Sequence, residues 1–268
     1  MAVQFRWSRQ FIGIASAWLL AGSVAGAEPQ APDPYELIAA AIDNFRSTTS
    51  YSEMRMLIHR PDWQRTSAIV AWTRGRSDAL VRFTAPAKDA GNALLQAGDR
   101  MWTYTPKLNR VIRLPFSMMS QDWAGSDLSY NDLSRSDNVL HHYRLAIIDI
   151  GKVDGRAAYT IEAVPYDSAP VVWGKEDWVV RDDHVLLAQT FYDQDLKPLK
   201  RMETLEIREI DGRPVATRMR MSKLDEPGRY TEMEFIVVDF DLPLEDRLFT
   251  TFTLQSGAAP DLAGGRGG

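Results

Sequence analysis

Apolar residues at Leu37, Ile38, Ala41, Ile42 and Phe45 recur at helical spacing, giving one stripe that must be buried against something. Ahead of it, Asp33-Pro34-Tyr35-Glu36 supplies an N-cap, a proline at the first helical position and a capping-box glutamate. The serines and threonines at 47–50 end this helix. From Tyr51 to about residue 255 the period changes to two, the alternation of half-buried strands. Val215, Thr217, Met219 and Met221 alternate with Ala216, Arg218, Arg220 and Ser222, and Met233, Phe235 and Val237 alternate with Glu232, Glu234 and Ile236. The same rule puts Val70 with Trp72, Ala79 with Val81 and Phe83, and Trp102 with Tyr104. Turn signals at Arg74-Gly75, Gly98-Asp99, Asp154-Gly155, Asp182-Asp183 and Asp211-Gly212 cut the region into roughly ten or eleven strands in an antiparallel meander. So large a sheet must curl, because strands twist and open edges are hazardous, and the helix is expected to plug its concave side.

Two stretches break the pattern. Residues 115–137 are rich in serine and aspartate, with Phe116, Met118, Met119, Trp123 and Leu128 embedded, and read as a long lid-like loop with short helical turns. At the amino end, Arg6 and Arg9 precede an uncharged run from Phe11 to Ala21 and then Ala25-Gly26-Ala27, the three parts of a secretory signal peptide. The expected organisation is a signal peptide at 1–27, a linker at 28–33, one β domain at 34–256 and a disordered glycine- and alanine-rich tail at 257–268. Export to the periplasm follows.

Charge and chemistry narrow the reading. The net charge of −5 becomes more negative by two when Arg6 and Arg9 are removed, which argues against nucleic acid as a partner. With no cysteine there is neither a lipobox, a disulfide nor a thiolate site. The four histidines, His59, His141, His142 and His184, stand in no metal-ligand spacing; His141 and His142 fall in a strand-like run that points them to opposite faces. No nucleophile elbow, phosphate loop or dinucleotide fingerprint occurs in the folded region, so neither a catalytic residue nor a cofactor is expected. What the chain overuses is large, soft apolar side chains on one strand face, which suit a pocket for variable acyl chains. They equally suit a plain hydrophobic core, since an apolar stripe reports burial without saying what fills the space.

Two motifs sharpen this. Met101-Trp102-Thr103-Tyr104-Thr105-Pro106 runs on to Arg110 and Arg113, and Trp123-Ala124-Gly125-Ser126-Asp127 continues through Ser129-Tyr130 to Asp132-Leu133. Together they resemble the outer-membrane lipoprotein-sorting protein family, the LolA-like periplasmic carriers, whose pattern is a W-x-Y-x-P strand, an arginine-bearing strand and a G-S-D loop. Asp211-Gly212, Thr217, Arg229-Tyr230-Thr231 and Leu248-Phe249-Thr250 look like that family's closing strands. Trp123 stands where phenylalanine is usual and Ala216 where proline is common, which resembles the divergent branch associated with transporters of the resistance-nodulation-division (RND) type.

The resemblance implies a mainly β fold, a large curved antiparallel sheet forming an unclosed barrel with a helical lid. It also implies a non-enzymatic carrier of lipid or lipoprotein acyl chains, with an inner-membrane RND transporter as partner. Val70, Trp72, Val81, Phe83, Trp102, Tyr104, Met219, Met221, Met233 and Phe235 are expected to line the cavity, with Trp123 as its plug. Asp127 or Asp132 is expected to pair with Arg110 or Arg113 and latch the lid. The alternative is a sensor or structural partner of an envelope complex, whose sheet edge binds protein while the cavity is plain core.

Overall fold

The computed structural model describes residues 31–134 and 137–257. The expected signal peptide, the first half of the linker and the tail beyond Gly257 lie outside the described residues. The helix α1 runs Pro34–Arg46, and its N-cap Asp33 accepts the Tyr35 N–H at 2.8 Å. Leu37, Ile38, Ala41 and Ile42 form its buried stripe against Tyr143, Ile161, Ala163, Trp178 and Val180. Fully burying one such aliphatic side chain gains roughly 1.5–3 kcal/mol, an upper bound because unfolded chains already bury some surface.

The strands are β1 Thr49–Arg60, β2 Trp63–Arg74, β3 Asp78–Ala85, β4 Ala93–Ala97, β5 Arg100–Thr105, β6 Arg110–Arg113, β7 Tyr143–Val153, β8 Arg156–Pro165, β9 Lys175–Arg181, β10 Leu186–Tyr192, β11 Pro198–Ile210, β12 Arg213–Lys223 and β13 Tyr230–Phe240. They form one antiparallel sheet of 13 strands, a few more than the alternation predicts, because β4 and β6 are too short to show a period. Each strand pairs with its sequence neighbours, with one exception. β1 pairs with β13, while β6 and β7 are left as the two unpaired edges. The fold is therefore mainly β, a curled sheet that does not close. Among the described residues no helix is long and apolar enough to cross a membrane.

Three local readings of the sequence change. His141 and His142 lie in a short helix, α3 (Asn138–His142), after another, α2 (Tyr130–Ser134), and not in a strand. In β13, Met54 sits opposite Phe235 and Glu53 opposite Val237, so Ile236 is an inserted bulge residue. The bulge reverses the alternation: Val237 packs on the outer face with Leu242 and Leu244, and Val238 returns to the inner one.

The third change concerns the outer face of the sheet's first half. The segment after β13 folds back over it, ending in a helix α4 (Thr251–Ser256) that Thr250 caps. Leu248, Phe249 and Leu254 pack there on Tyr51, Trp72, Leu80, Ala93, Leu95 and Tyr104. Arg82 fixes the cover by donating to the carbonyls of Thr253 at 3.0 Å and Leu254 at 3.2 Å. These strands are thus buried on both faces, and a bulky apolar stripe in them does not identify the concave side.

Candidate functional site

The inner faces of β1–β3 and β9–β13, together with α1 and the crossover between the two edge strands, enclose a cavity of about 310 Å³. That is the low end of the roughly 300–1,000 Å³ of small-ligand pockets. Five methionines line it: Met54, Met202, Met219, Met221 and Met233. Their unbranched, polarizable side chains refill irregular apolar space, so the wall can adapt to ligands of differing shape.

Of the residues expected at the wall, Val81, Trp123, Met219, Met221, Met233 and Phe235 line this cavity. Phe83 shares their face and lies against Trp123, ring centroids 5.2 Å apart. Val70, Trp72, Trp102 and Tyr104 do not belong there. All four sit on the outer face beneath the carboxy-terminal cover, because the doubly buried strands offer two apolar stripes and the bulkier one faces outward. The inner stripe of β2 is Ile69, Ala71 and Thr73. Met54, Met56 and Ile58, alternating with Arg55, Leu57 and His59, are inner-face residues that the same periodicity could have found.

The crossover runs from Leu114 to His142, between the last strand of one half-sheet and the first of the other. Trp123, Leu128, Leu133 and Val139 on it roof the cavity. Trp123 is held in a tight turn: its N–H donates to the Leu128 carbonyl at 2.7 Å, and Ala124 and Gly125 both take left-handed backbone angles.

Asp127 anchors this turn and is not half of a surface latch. Its fully buried carboxylate accepts from Arg60 Nη1 at 2.9 Å, Arg229 Nε at 3.0 Å and Thr231 Oγ1 at 2.7 Å, while its own N–H donates to Thr231 Oγ1 at 2.9 Å. Asp132 forms a second buried pair with Lys200, whose ammonium lies 4.6 Å from the Trp173 ring centroid. Arg110 and Arg113, the expected partners, make no ion pair among the described residues. They lie exposed on β6 at the sheet edge, whereas the crossover doubles back onto β1 and β13.

Besides the paired Asp132, two charged groups stand in the cavity wall, Glu176 and Arg46. Glu176 is buried, and desolvation raises its pKa against the hydrogen bonds from Gln189 Nε2 (2.8 Å), Tyr143 and Trp178 Nε1 (3.0 Å). A carboxyl whose folded pKa lies above its unfolded value costs stability once the pH rises through the unfolded value, and the cost is complete above the folded one. Glu176→Gln keeps the acceptor and removes the charge. It should match the parent in acid and melt a few degrees higher at pH 8, and thermal melts at both pH values will check this. A variant less stable at pH 8 than in acid, relative to the parent, would contradict the burial argument. Arg46, at the end of α1, is 8% exposed, and desolvation brings its pKa down to about 10, which leaves it cationic at neutral pH.

A model for a family described as uncharacterized proteins matches residues 75–256. A DUF1329 family protein from Desulfovibrio piger superposes with a TM-score of 0.75 at 26% identity, covering 83% of this chain and 100% of its own. A domain assigned as an outer-membrane lipoprotein-sorting protein from Vibrio parahaemolyticus superposes at 0.74 with 22% identity, covering 83% and 98%. A LolA superfamily protein from Nitrosomonas europaea gives 0.70 with 20% identity over 83% and 99%. No curated protein matches in sequence. Among the described residues no group of three or more histidine, aspartate or glutamate side chains could hold a metal ion.

Proposed function

Because the chain belongs to the family of uncharacterized proteins matched over residues 75–256, and its fold is that of LolA-superfamily lipoprotein-sorting proteins, we propose that it is a non-catalytic carrier of lipid or lipoprotein acyl chains. The observation that carries this reading is the methionine-lined cavity roofed by the crossover. A chain that buries about six methylenes there gains roughly 5 kcal/mol, enough for reversible capture and release. The carrier works in the periplasm, reached through the signal peptide at 1–27, and exchanges its lipid with an inner-membrane transporter of the RND type.

Native mass spectrometry of the purified protein should show a co-purifying acyl lipid, and the delipidated protein should bind laurate saturably, one per chain. A lipid-free protein that binds no laurate would overturn the reading. For the compartment, the mature chain should begin at Glu28 in the periplasmic fraction.

A further inference from the structure

Polarity is graded along the cavity. The inner-face residues of β1 run Ser50, Ser52, Met54, Met56, Ile58, and those of β2, read from its far end, run Thr73, Ala71, Ile69. Both rows are polar where the two strands lie beside the turn joining β2 to β3 and become apolar through Met54 and Ile69, before β2 turns polar again at Ser67 and Arg65, which meets the crossover. Ser50 and Thr73 share a hydrogen bond of 2.6 Å at the polar end.

Arg46 stands at that same end. Its Nε donates to the Gly75 carbonyl and its Nη2 to the Asp78 carbonyl, each at 2.8 Å, so the guanidinium is fixed in orientation. The Nη1 group has no hydrogen-bond partner among the described residues, and the side chain lines the cavity. The nearby carboxylates are committed elsewhere. Asp78 is held by Arg74 at 2.7 and 3.0 Å, Asp43 by Arg76 at 2.6 and 2.8 Å, and Asp137 faces His141 at 3.8 Å. Two carbonyls and the carboxy-terminal end of α1 offer partial negative charge, and Asp137 and Asp78 attract the cation through space, but no carboxylate makes a hydrogen bond or ion pair with the guanidinium. A buried cation with a free donor edge and no directly paired carboxylate gains from an anion that joins it.

We propose that the cavity takes an acyl chain with an anionic oxygen head, a carboxylate or a phosphate, which Arg46 Nη1 holds at the polar end while the tail lies along Met54, Met233 and Trp123. This deepens the carrier reading and rests on it. The head supplies the counterion and the tail fills the apolar end, so the site selects for the two joined in one molecule.

The test compares laurate, dodecanol, methyl laurate and inorganic phosphate by calorimetric titration of the delipidated full chain, its Arg46→Met variant and its Arg46→Lys variant. Laurate should bind about tenfold or more tightly than the two uncharged chains of equal length. Arg46→Met should bring laurate to the level of dodecanol without changing dodecanol, and Arg46→Lys should restore part of the difference. Equal affinity of the three lipids for the parent would overturn the anionic-head assignment and leave the carrier reading standing. Phosphate binding as tightly as laurate would overturn it too, since the site would then serve a free anion. No binding by any lipid would sink the carrier reading and the inference together. Should Arg46→Met fail to fold, the comparison of laurate with methyl laurate on the parent decides.

Discussion

Asp127→Ala should lower the melting temperature by roughly 10 °C. Removing one partner of a buried ion pair costs about 3–5 kcal/mol, and 1 kcal/mol is worth about 2–4 °C in a domain of this size. The cause is specific. Arg60 is itself 8% exposed and would lose its carboxylate, Thr231 Oγ1 would lose its acceptor, and the turn carrying Trp123 would lose its tie to β1 and β13. Calorimetric melting at neutral pH measures the shift, with Asp132→Ala as the companion variant because its pair with Lys200 is the second anchor. A drop of less than about 2 °C would mean that the network around Asp127 is not what holds the crossover down.

Phe235→Glu should weaken laurate binding by more than about tenfold, because an unpaired carboxylate in an apolar wall loses its hydration with nothing to replace it. Phe235 faces the cavity and meets the edge of Phe45 with ring centroids 5.1 Å apart. The bulge supplies the control. Ile236, one residue along, is 52% exposed and points away, so Ile236→Glu should leave binding unchanged and stability within about 0.5 kcal/mol of the parent. Melting measured beside binding separates a damaged site from a damaged fold. If folded Phe235→Glu protein binds laurate like the parent, the cavity that Phe235 lines is not the binding site.

The hydrophobic pattern carries the architecture further than it carries the site. The helix at Pro34–Arg46 is legible to the residue, since N-cap, proline and apolar stripe all report local geometry. The hairpins are legible for the same reason: Gly75, Gly98, Asp154 and Asp211 all take the left-handed conformation that their turns demand. Which strand face is concave is not local. It depends on the cover of Leu248, Phe249 and Leu254, more than a hundred residues from the strands it shields, and so Val70, Trp72, Trp102 and Tyr104 look like cavity residues until the cover is in place. The counterions of Asp127 and Asp132 escape for a related reason. Arg60 ends β1, Lys200 lies on β11 and Arg229 just precedes β13, and no spacing in the chain announces that they converge.

The single pairing between the first strand and the last has a consequence for how the chain is made. Every other ladder joins neighbours in sequence, so each half of the sheet can assemble as soon as its own hairpins exist, at little cost in loop closure. β1 cannot: Tyr51 must wait for Asp239, and until then its free edge, with Met54, Met56 and Ile58 behind it, is an invitation to wrong partners. In an exported chain the amino-terminal half also emerges first into the periplasm and must stay unaggregated until almost the whole chain has followed. Pairing β1 with β13 is therefore expected to be the slow step of folding, and a circular permutant that opens the crossover and links β13 to β1 should refold faster in stopped-flow measurements, because that distant contact becomes local.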